Sequence, residues 1–308
     1  MIEVTNLTKN YGKVEAVRGV SFSVRPGEVF GLLGPNGAGK STTINILCGL
    51  VAASSGSARV GGFDISTEPT QAKRILGVVP QQSVVIDELS ALANCMFFGS
   101  LYGVDARTLR ERARTLLDWI ELSDHARKPA SALSGGMLRR LTLVLGILHE
   151  PKALIMDEPT TGLDPQTRLL LLERIREIAT RGTAVLLTTH HLEEAERLCD
   201  RVAIIDEGHI VKEGTLESLR AEVQDVQLFS LRGEFSRERL RGAVTTIPGA
   251  EILLDAPDEV VVAVPTGSGL SGRLLEIAAS LDHVREVTIK PPSLESLFIR
   301  LTGRDLRE

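Results

Sequence analysis

Three short stretches carry residues whose types and spacing suit phosphate chemistry. In GPNGAGKST, Gly34, Gly39, Lys40 and Ser41 fit the pattern G-x-x-x-x-G-K-[ST], between an apolar run and a helical one. Glycine permits positive φ. The run Gly34, Pro35, Asn36, Gly37, Ala38, Gly39, Lys40, Ser41 and Thr42 can therefore turn main-chain N–H groups inward to cradle a β-phosphate. The helix start adds roughly half a positive charge. Lys40 then reaches the β/γ-phosphates and the Ser41 hydroxyl ligates Mg2+. ALIMDEP delivers Asp157 and Glu158 at the polar end of an apolar run. Asp157 suits an outer contact to Mg2+, and Glu158 suits polarising or deprotonating an attacking water. The third stretch, LSGGM, opens an apolar helix with Ser134, Gly135 and Gly136, where a hydroxyl and free N–H groups welcome an anion. It has no lysine or metal ligand of its own, so alone it should bind phosphate weakly or serve only as a helix cap.

These groups need elements to hold them. EVFGLLG reads as a short apolar strand feeding the first glycine loop, and KSTTINILCGL as a helix ending at Gly49. RILGVVP, ALIMDEP, AVLLTTH and RVAIIDE read as buried strands separated by helical patterns, the signature of a mainly parallel α/β sheet. Residues 2–30 read as strands joined by turns at YGK and RPGE. Residues 88–149 read as an inserted helical lobe, with Leu138, Leu141, Leu145 and Leu148 on one helix face and Trp119 in the core. Composition shifts near residue 221. From there the order is strand 226–231, helix 235–243, strand 249–254, strand 259–264, helix 270–281 and strand 284–290. That βαββαβ order is ferredoxin-like. A last helix follows KPPS, with Ser293 as its N-cap. The expected organisation is a first domain over residues 1–220 and a small α+β domain over 221–308.

A chain of 308 residues suffices for two such domains. A net charge of −5 without a long basic run argues against nucleic acid as the main partner. Cys48, Cys95 and Cys199 form no CxxC pair and read as buried free thiols rather than a zinc site. No apolar run reaches the roughly 18 residues of a membrane span, and MIEVTNLTKNYG lacks the basic and apolar regions of a secretory signal. The expectation is a cytoplasmic protein whose membrane work, if any, requires a partner that supplies the span.

Taken in order, the motifs resemble those of the nucleotide-binding subunits of ABC transporters, over residues 2 to about 220. LSGGM resembles the signature motif of that family, PQQ the Q-loop with Gln81 its glutamine, TGLD the D-loop ending at Asp164, and TTHH the switch with His190 in the histidine position. Tyr11 resembles the aromatic that stacks on adenine. The resemblance implies a P-loop NTPase cassette with an antiparallel β subdomain and a helical lobe. It also implies ATP, favoured over GTP because no NKxD-type segment occurs, and Mg2+ as cofactor. Two subunits would face head to tail, each ATP lying between one P-loop and the other subunit's signature segment. Gln81 would contact Mg2+ and the attacking water, with the adjacent Gln82 a rival. His190 would hydrogen-bond the γ-phosphate, and Asp164 would serve the D-loop while capping a helix.

Met137 departs from the glutamine that commonly follows the two glycines, but LSGGM followed by arginines is familiar among ABC-2-type exporter ATPases. Arg139 and Arg140 either raise the potential near the composite phosphate site or pair with local acids. The tail PPSLESLFIRLTG resembles the same export ATPases of the drug-resistance and polysaccharide or lipid kind. The implied partners are a second copy or a paralogous cassette and an ABC-2-type permease, at the inner face of the membrane. Met96, Phe97 and Phe98 are either partner contacts or core. Rival readings are a soluble ABC-type ATPase acting on nucleic acid or ribosomes, and a small-molecule kinase; the second leaves LSGGM and TGLD without a task.

Overall fold

A computed structural model describes residues 1–266, 269–290 and 293–303. Pro291 and Pro292 of the tail motif and residues 304–308 of the expected second domain lie outside the described residues. The chain divides into two units, Met1–Lys212 and Glu213–Glu308. The division precedes the compositional boundary at 220/221. Helix Leu216–Ala221 leads into the second unit, and Arg300 near the chain's end hydrogen-bonds the Glu222 carbonyl.

In the first unit the strands run β1 (Ile2–Tyr11), β2 (Val14–Val24), β3 (Val29–Leu33), β4 (Ser55–Val60), β5 (Phe63–Asp64), β6 (Leu76–Val79), β7 (Ala153–Asp157), β8 (Ala184–Thr189), β9 (Arg201–Asp206) and β10 (His209–Thr215). The helices are α1 (Lys40–Leu47), α2 (Pro69–Arg74), α3 (Ala91–Leu101), α4 (Ala106–Trp119), α5 (Gly135–Ile147), α6 (Pro165–Thr180) and α7 (Leu192–Leu198). One sheet, in the order β2-β1-β4-β5, is antiparallel; the other runs β10-β9-β3-β8-β7-β6. From β9 to β6 every pairing of the second sheet is parallel. Burial on both faces explains why β3 and β8 carry no polar alternation: all five residues of VFGLL and all six of AVLLTT are buried. Each fully buried large side chain there, such as Phe30, Leu32 or Leu33, stabilises the fold by about 1.5–3 kcal/mol. Because strands run in parallel, the polar ends of β3, β7 and β8 emerge at one edge of the sheet. That edge receives the motif residues.

The lobe contains α3, α4 and α5. Ser90 caps α3 by accepting from Ala93 N–H, and Asp105 caps α4 from Arg107 and Thr108. Trp119 is not core as the helical spacing suggested. It is only partly buried, its indole N–H donates to Glu177 at 2.5 Å, and Arg174 and Arg181 lie 5.3 and 6.0 Å from its ring. Phe97 is exposed while Met96 and Phe98 are half-buried. All three cysteines are free and buried.

The second unit begins with α8 (Leu216–Ala221) and continues β11 (Val226–Gly233), α9 (Arg237–Val244), β12 (Glu251–Asp255), β13 (Glu259–Pro265), α10 (Leu270–Ser280), β14 (Val284–Lys290) and α11 (Leu294–Thr302). Its sheet order β12-β13-β11-β14, antiparallel throughout, is the ferredoxin-like arrangement that the βαββαβ order implies. Phe229, Leu231, Val260, Val262 and Val264 meet Leu240, Val244, Leu274 and Ala278 in one core. Ser293 caps α11, accepting from Ser296 N–H.

Candidate active site

The glycine loop between β3 and α1 is shaped by contacts that exclude any side chain. A Cβ on Gly34 would lie 2.2 Å from the Ile205 carbonyl oxygen, and one on Gly39, where φ is +102°, would lie 2.5 Å from that of Ala16. Space therefore demands glycine at Gly34, and space and torsion together demand it at Gly39. The loop is tied down by Ala38 N–H to the Pro35 carbonyl and by Gly208 N–H to the Ala38 carbonyl. Lys40 is 5% exposed; its ammonium donates to the carbonyls of Gly34 at 2.7 Å and Pro35 at 3.0 Å. Burial lowers its pKa, and Glu158 and Asp157 counter that shift. Ala16, Asn36, Gly37, Gly39, Lys40, Ser41, Thr42, Gln81 and Glu158 enclose a cavity of about 170 Å³.

The sheet edge brings the two acids to this loop. Asp157 Oδ1 accepts from the Ser41 hydroxyl at 3.4 Å and from Thr188. Glu158 follows it with φ +45°, a left-handed conformation costly for a side chain with a Cβ. Its carboxylate is almost fully buried and surrounded by donors. His190 Nδ1 lies at 3.0 Å, Gln81 Nε2 at 3.1 Å, the Thr161 hydroxyl at 3.2 Å and Lys40 Nζ at 3.9 Å. Burial alone would raise its pKa. The His190 hydrogen bond and charge, Lys40 and Thr161 outweigh that, so the carboxyl lies below its ordinary value and is ionised at neutral pH. Such a group can orient and polarise a water. Ser41, Asp157 and Gln81 together offer the hard oxygen donors that a small divalent cation takes.

Of the expected residues, the fold thus unites Gly34 to Thr42, Gln81, Asp157, Glu158 and His190. Gln81 rather than Gln82 faces the acid. Ser134 N-caps α5, accepting from Met137 N–H at 3.3 Å, and with Gly135 it is exposed. Neither lines the cavity of its own chain. Asp164 caps α6, accepting from Thr167 N–H at 2.9 Å, and these hydrogen bonds lower its pKa. Tyr11 ends β1, 48% exposed, with the Lys9 ammonium 4.9 Å from its ring centroid; it too is outside the cavity lining.

Arg139 departs from both readings of its charge. It is buried, and its guanidinium is spent on main-chain carbonyls behind the acids. Arg140 does pair with a local acid, Glu121, at 3.7 Å, and donates to the Ile120 carbonyl at 3.0 Å. Two further residues escaped notice in the sequence. Thr188, fully buried at the end of β8, donates to Asp157 and accepts from Glu158 N–H at 3.0 Å. Glu194 on α7 accepts from Thr160 at 2.5 Å and Thr189 at 3.4 Å, and pairs with Arg168 at 3.4 Å. It thereby ties the segment after β7 to the segment after β8. The available signal was a threonine pair beside the switch histidine and an acid one helical turn beyond it.

Comparison with known proteins agrees with this geometry. A family profile described as ABC transporter matches residues 17–161. The chain is 37% identical to the linearmycin resistance ATP-binding protein LnrL of Bacillus subtilis (strain 168), over all of both chains. It is 40% identical to the Nod factor export ATP-binding protein I of Paraburkholderia xenovorans (strain LB400), covering 100% of this chain and 98% of the relative. Among solved structures, an ATP-binding subunit of an ABC transporter superposes with a TM-score of 0.67 at 33% identity, covering 72% of this chain and 92% of that one. The dimeric cassette MJ0796, in a post-hydrolysis state with ADP and phosphate, gives a TM-score of 0.64 at 26% identity, with 70% and 99% covered. The chain belongs to the ABC transporter family, as one of its ATP-hydrolysing subunits.

Proposed function

We propose that this chain drives export through a separate membrane-spanning partner of the ABC-2 permease type, at the cytoplasmic face of the membrane. Two copies close head to tail on two ATP molecules. The observation that carries this reading is the exposed N-terminus of α5: Ser134 and Gly135 form an anion-ready helix start outside the cavity of their own chain. A second copy gives that half-site its task. The names of the relatives, which concern linearmycin resistance and Nod factor export, support export as the direction. Among the described residues no helix is long and apolar enough to cross a membrane, so any span comes from elsewhere.

Within each composite site the glycine loop and Lys40 hold the phosphates. Tyr11 stacks on the adenine. Ser41, Asp157 and Gln81 fit Mg2+, which when bound supplies charge neutralisation at the β- and γ-phosphates. Glu158, held ionised, orients and polarises the attacking water. His190 steadies both Glu158 and the γ-phosphate, and Asp164 carries the D-loop toward the facing subunit. Ser134 and the N–H groups of Gly135 and Gly136 meet the γ-phosphate of the partner's nucleotide. ATP binding favours the closed dimer and product release reopens it, because the ligand has different affinity for the two states.

The test is Glu158→Gln with ATP and Mg2+ in size-exclusion chromatography. An ATP-dependent dimer with turnover abolished supports the sandwich; a monomer at saturating ATP overturns it. Co-purification of the wild-type chain with a polytopic membrane protein tests the partner.

A further inference from the structure

The exposed side of α5 and its buried side face different tasks. On the exposed side, Ser134 starts the helix. One turn further on, Arg139 is 4% exposed and points inward. All five of its hydrogen bonds end on main-chain carbonyls of two segments. Nη1 donates to Pro80 and to Gln81 at 2.9 Å. Nη2 donates to Asp157 at 3.1 Å and Glu158 at 2.9 Å, and Nε to Pro159 at 2.6 Å. A planar guanidinium carries five N–H donors in a rigid fork, and here each has a place. Burial lowers its pKa to about 10, against the opposing pull of Asp157 and Glu158, so it stays charged at neutral pH.

The segments it joins have no direct strand pairing at this point, since β6 ends at Val79 and β7 at Asp157. Gln81 and Glu158 must nonetheless keep their 3.1 Å contact, and Glu158 must hold its left-handed backbone. Arg139 fixes the carbonyls of both residues from behind. Any displacement of the start of α5 moves these carbonyls with it.

We propose that Arg139 is a positioning residue that couples the two composite ATP sites of the dimer: engagement of Ser134 by the partner's nucleotide is transmitted along α5 to Gln81 and Glu158, which act on the chain's own nucleotide. The inference rests on the head-to-tail sandwich proposed above. It adds a route: a rigid helix and one buried cation connect the anion-binding end of a subunit to its hydrolytic acid.

The experiment measures ATPase rate against ATP concentration for the full chain and for Arg139→Met and Arg139→Lys. Nucleotide affinity is measured separately in the Glu158→Gln background. For Arg139→Met the expected result is a kcat lower by about 10- to 100-fold, the scale of an ångström-sized misplacement. The Hill coefficient should fall from above one toward one, with affinity within about twofold because the glycine loop is untouched. Arg139→Lys keeps the charge but reaches fewer carbonyls, and should lie between the two. If Arg139→Met does not fold, the lysine variant alone decides by its Hill coefficient. A purely structural arginine would lower the melting temperature and leave kcat and cooperativity of the folded fraction unchanged; that result overturns the proposal. If Glu158→Gln gives no ATP-dependent dimer, the sandwich fails and the coupling falls with it. A normal dimer with an unchanged Hill coefficient in both arginine variants sinks the coupling alone.

Discussion

Thr188→Val tests the assembly of the catalytic edge without touching any acid or any loop residue. Valine keeps the branched shape and loses one hydroxyl. That hydroxyl donates to Asp157 Oδ1 and accepts from Glu158 N–H at 3.0 Å, at a position with no water access. Glu158 N–H retains the Thr188 carbonyl at 3.2 Å, so it is not orphaned. Asp157 keeps only the longer contact to Ser41 at 3.4 Å. The expected cost is therefore one hydrogen bond to a charged group, about 1.5–2 kcal/mol, the lower part of the usual range because Asp157 is half-exposed. With a urea slope of about 3 kcal/mol/M, the unfolding midpoint should fall by roughly 0.5–0.7 M. Phosphate release should slow by about 10- to 100-fold as Asp157 loses its shorter contact and Glu158 N–H one of its two acceptors. Thr188→Ser, which restores the hydroxyl, should recover most of both losses. A valine variant whose midpoint and turnover both match the parent would refute the reasoning.

Lys40→Ala should weaken ATP binding by about 1.5–3 kcal/mol, read by calorimetry, since a charged donor to the phosphates is lost. Gly34→Ala should lower both ATP affinity and melting temperature, because the added Cβ meets the Ile205 carbonyl at 2.2 Å and the loop must shift. Glu158 lies below its ordinary value of 4.5, so its ionised form stabilises the fold fully above that value and the contribution is lost as pH falls through the lower folded value. The parent's stability advantage over Glu158→Gln should accordingly be full at neutral pH and shrink as pH falls below about 4.5; chemical denaturation at several pH values reads it.

The sequence disclosed those parts of the site whose constraints act along the chain. Gly34 is a glycine because of a close carbonyl and Gly39 because of a close carbonyl and its torsion, and those requirements leave a fixed spacing. The parallel strands were visible because burial on both faces makes VFGLL and AVLLTT apolar throughout. The βαββαβ order of the second unit was visible because each element has its own periodicity. What was hidden depends on tertiary partners that leave no trace in residue type. Main-chain carbonyls exist at every position, so nothing in the sequence marks those of Pro80 and Asp157 as the targets of Arg139. Helical spacing placed Trp119 inward, but its indole N–H requires an acceptor, and Glu177 holds it at the protein's edge. The sequence equally could not distinguish Gln81 from Gln82, since only the turn after β6 decides which faces Glu158.

The left-handed backbone at Glu158 has a consequence for how this protein could change. A glycine or asparagine at that position would relieve a torsional cost on the order of 1 kcal/mol, and Glu158→Gly should melt higher than an inert Glu158→Ala. In the parent, the contacts of the carboxylate with His190, Gln81 and Thr161 offset that cost, so the backbone's preference shows only once the acid is gone. Torsion and side-chain contacts pull this single peptide in opposite directions.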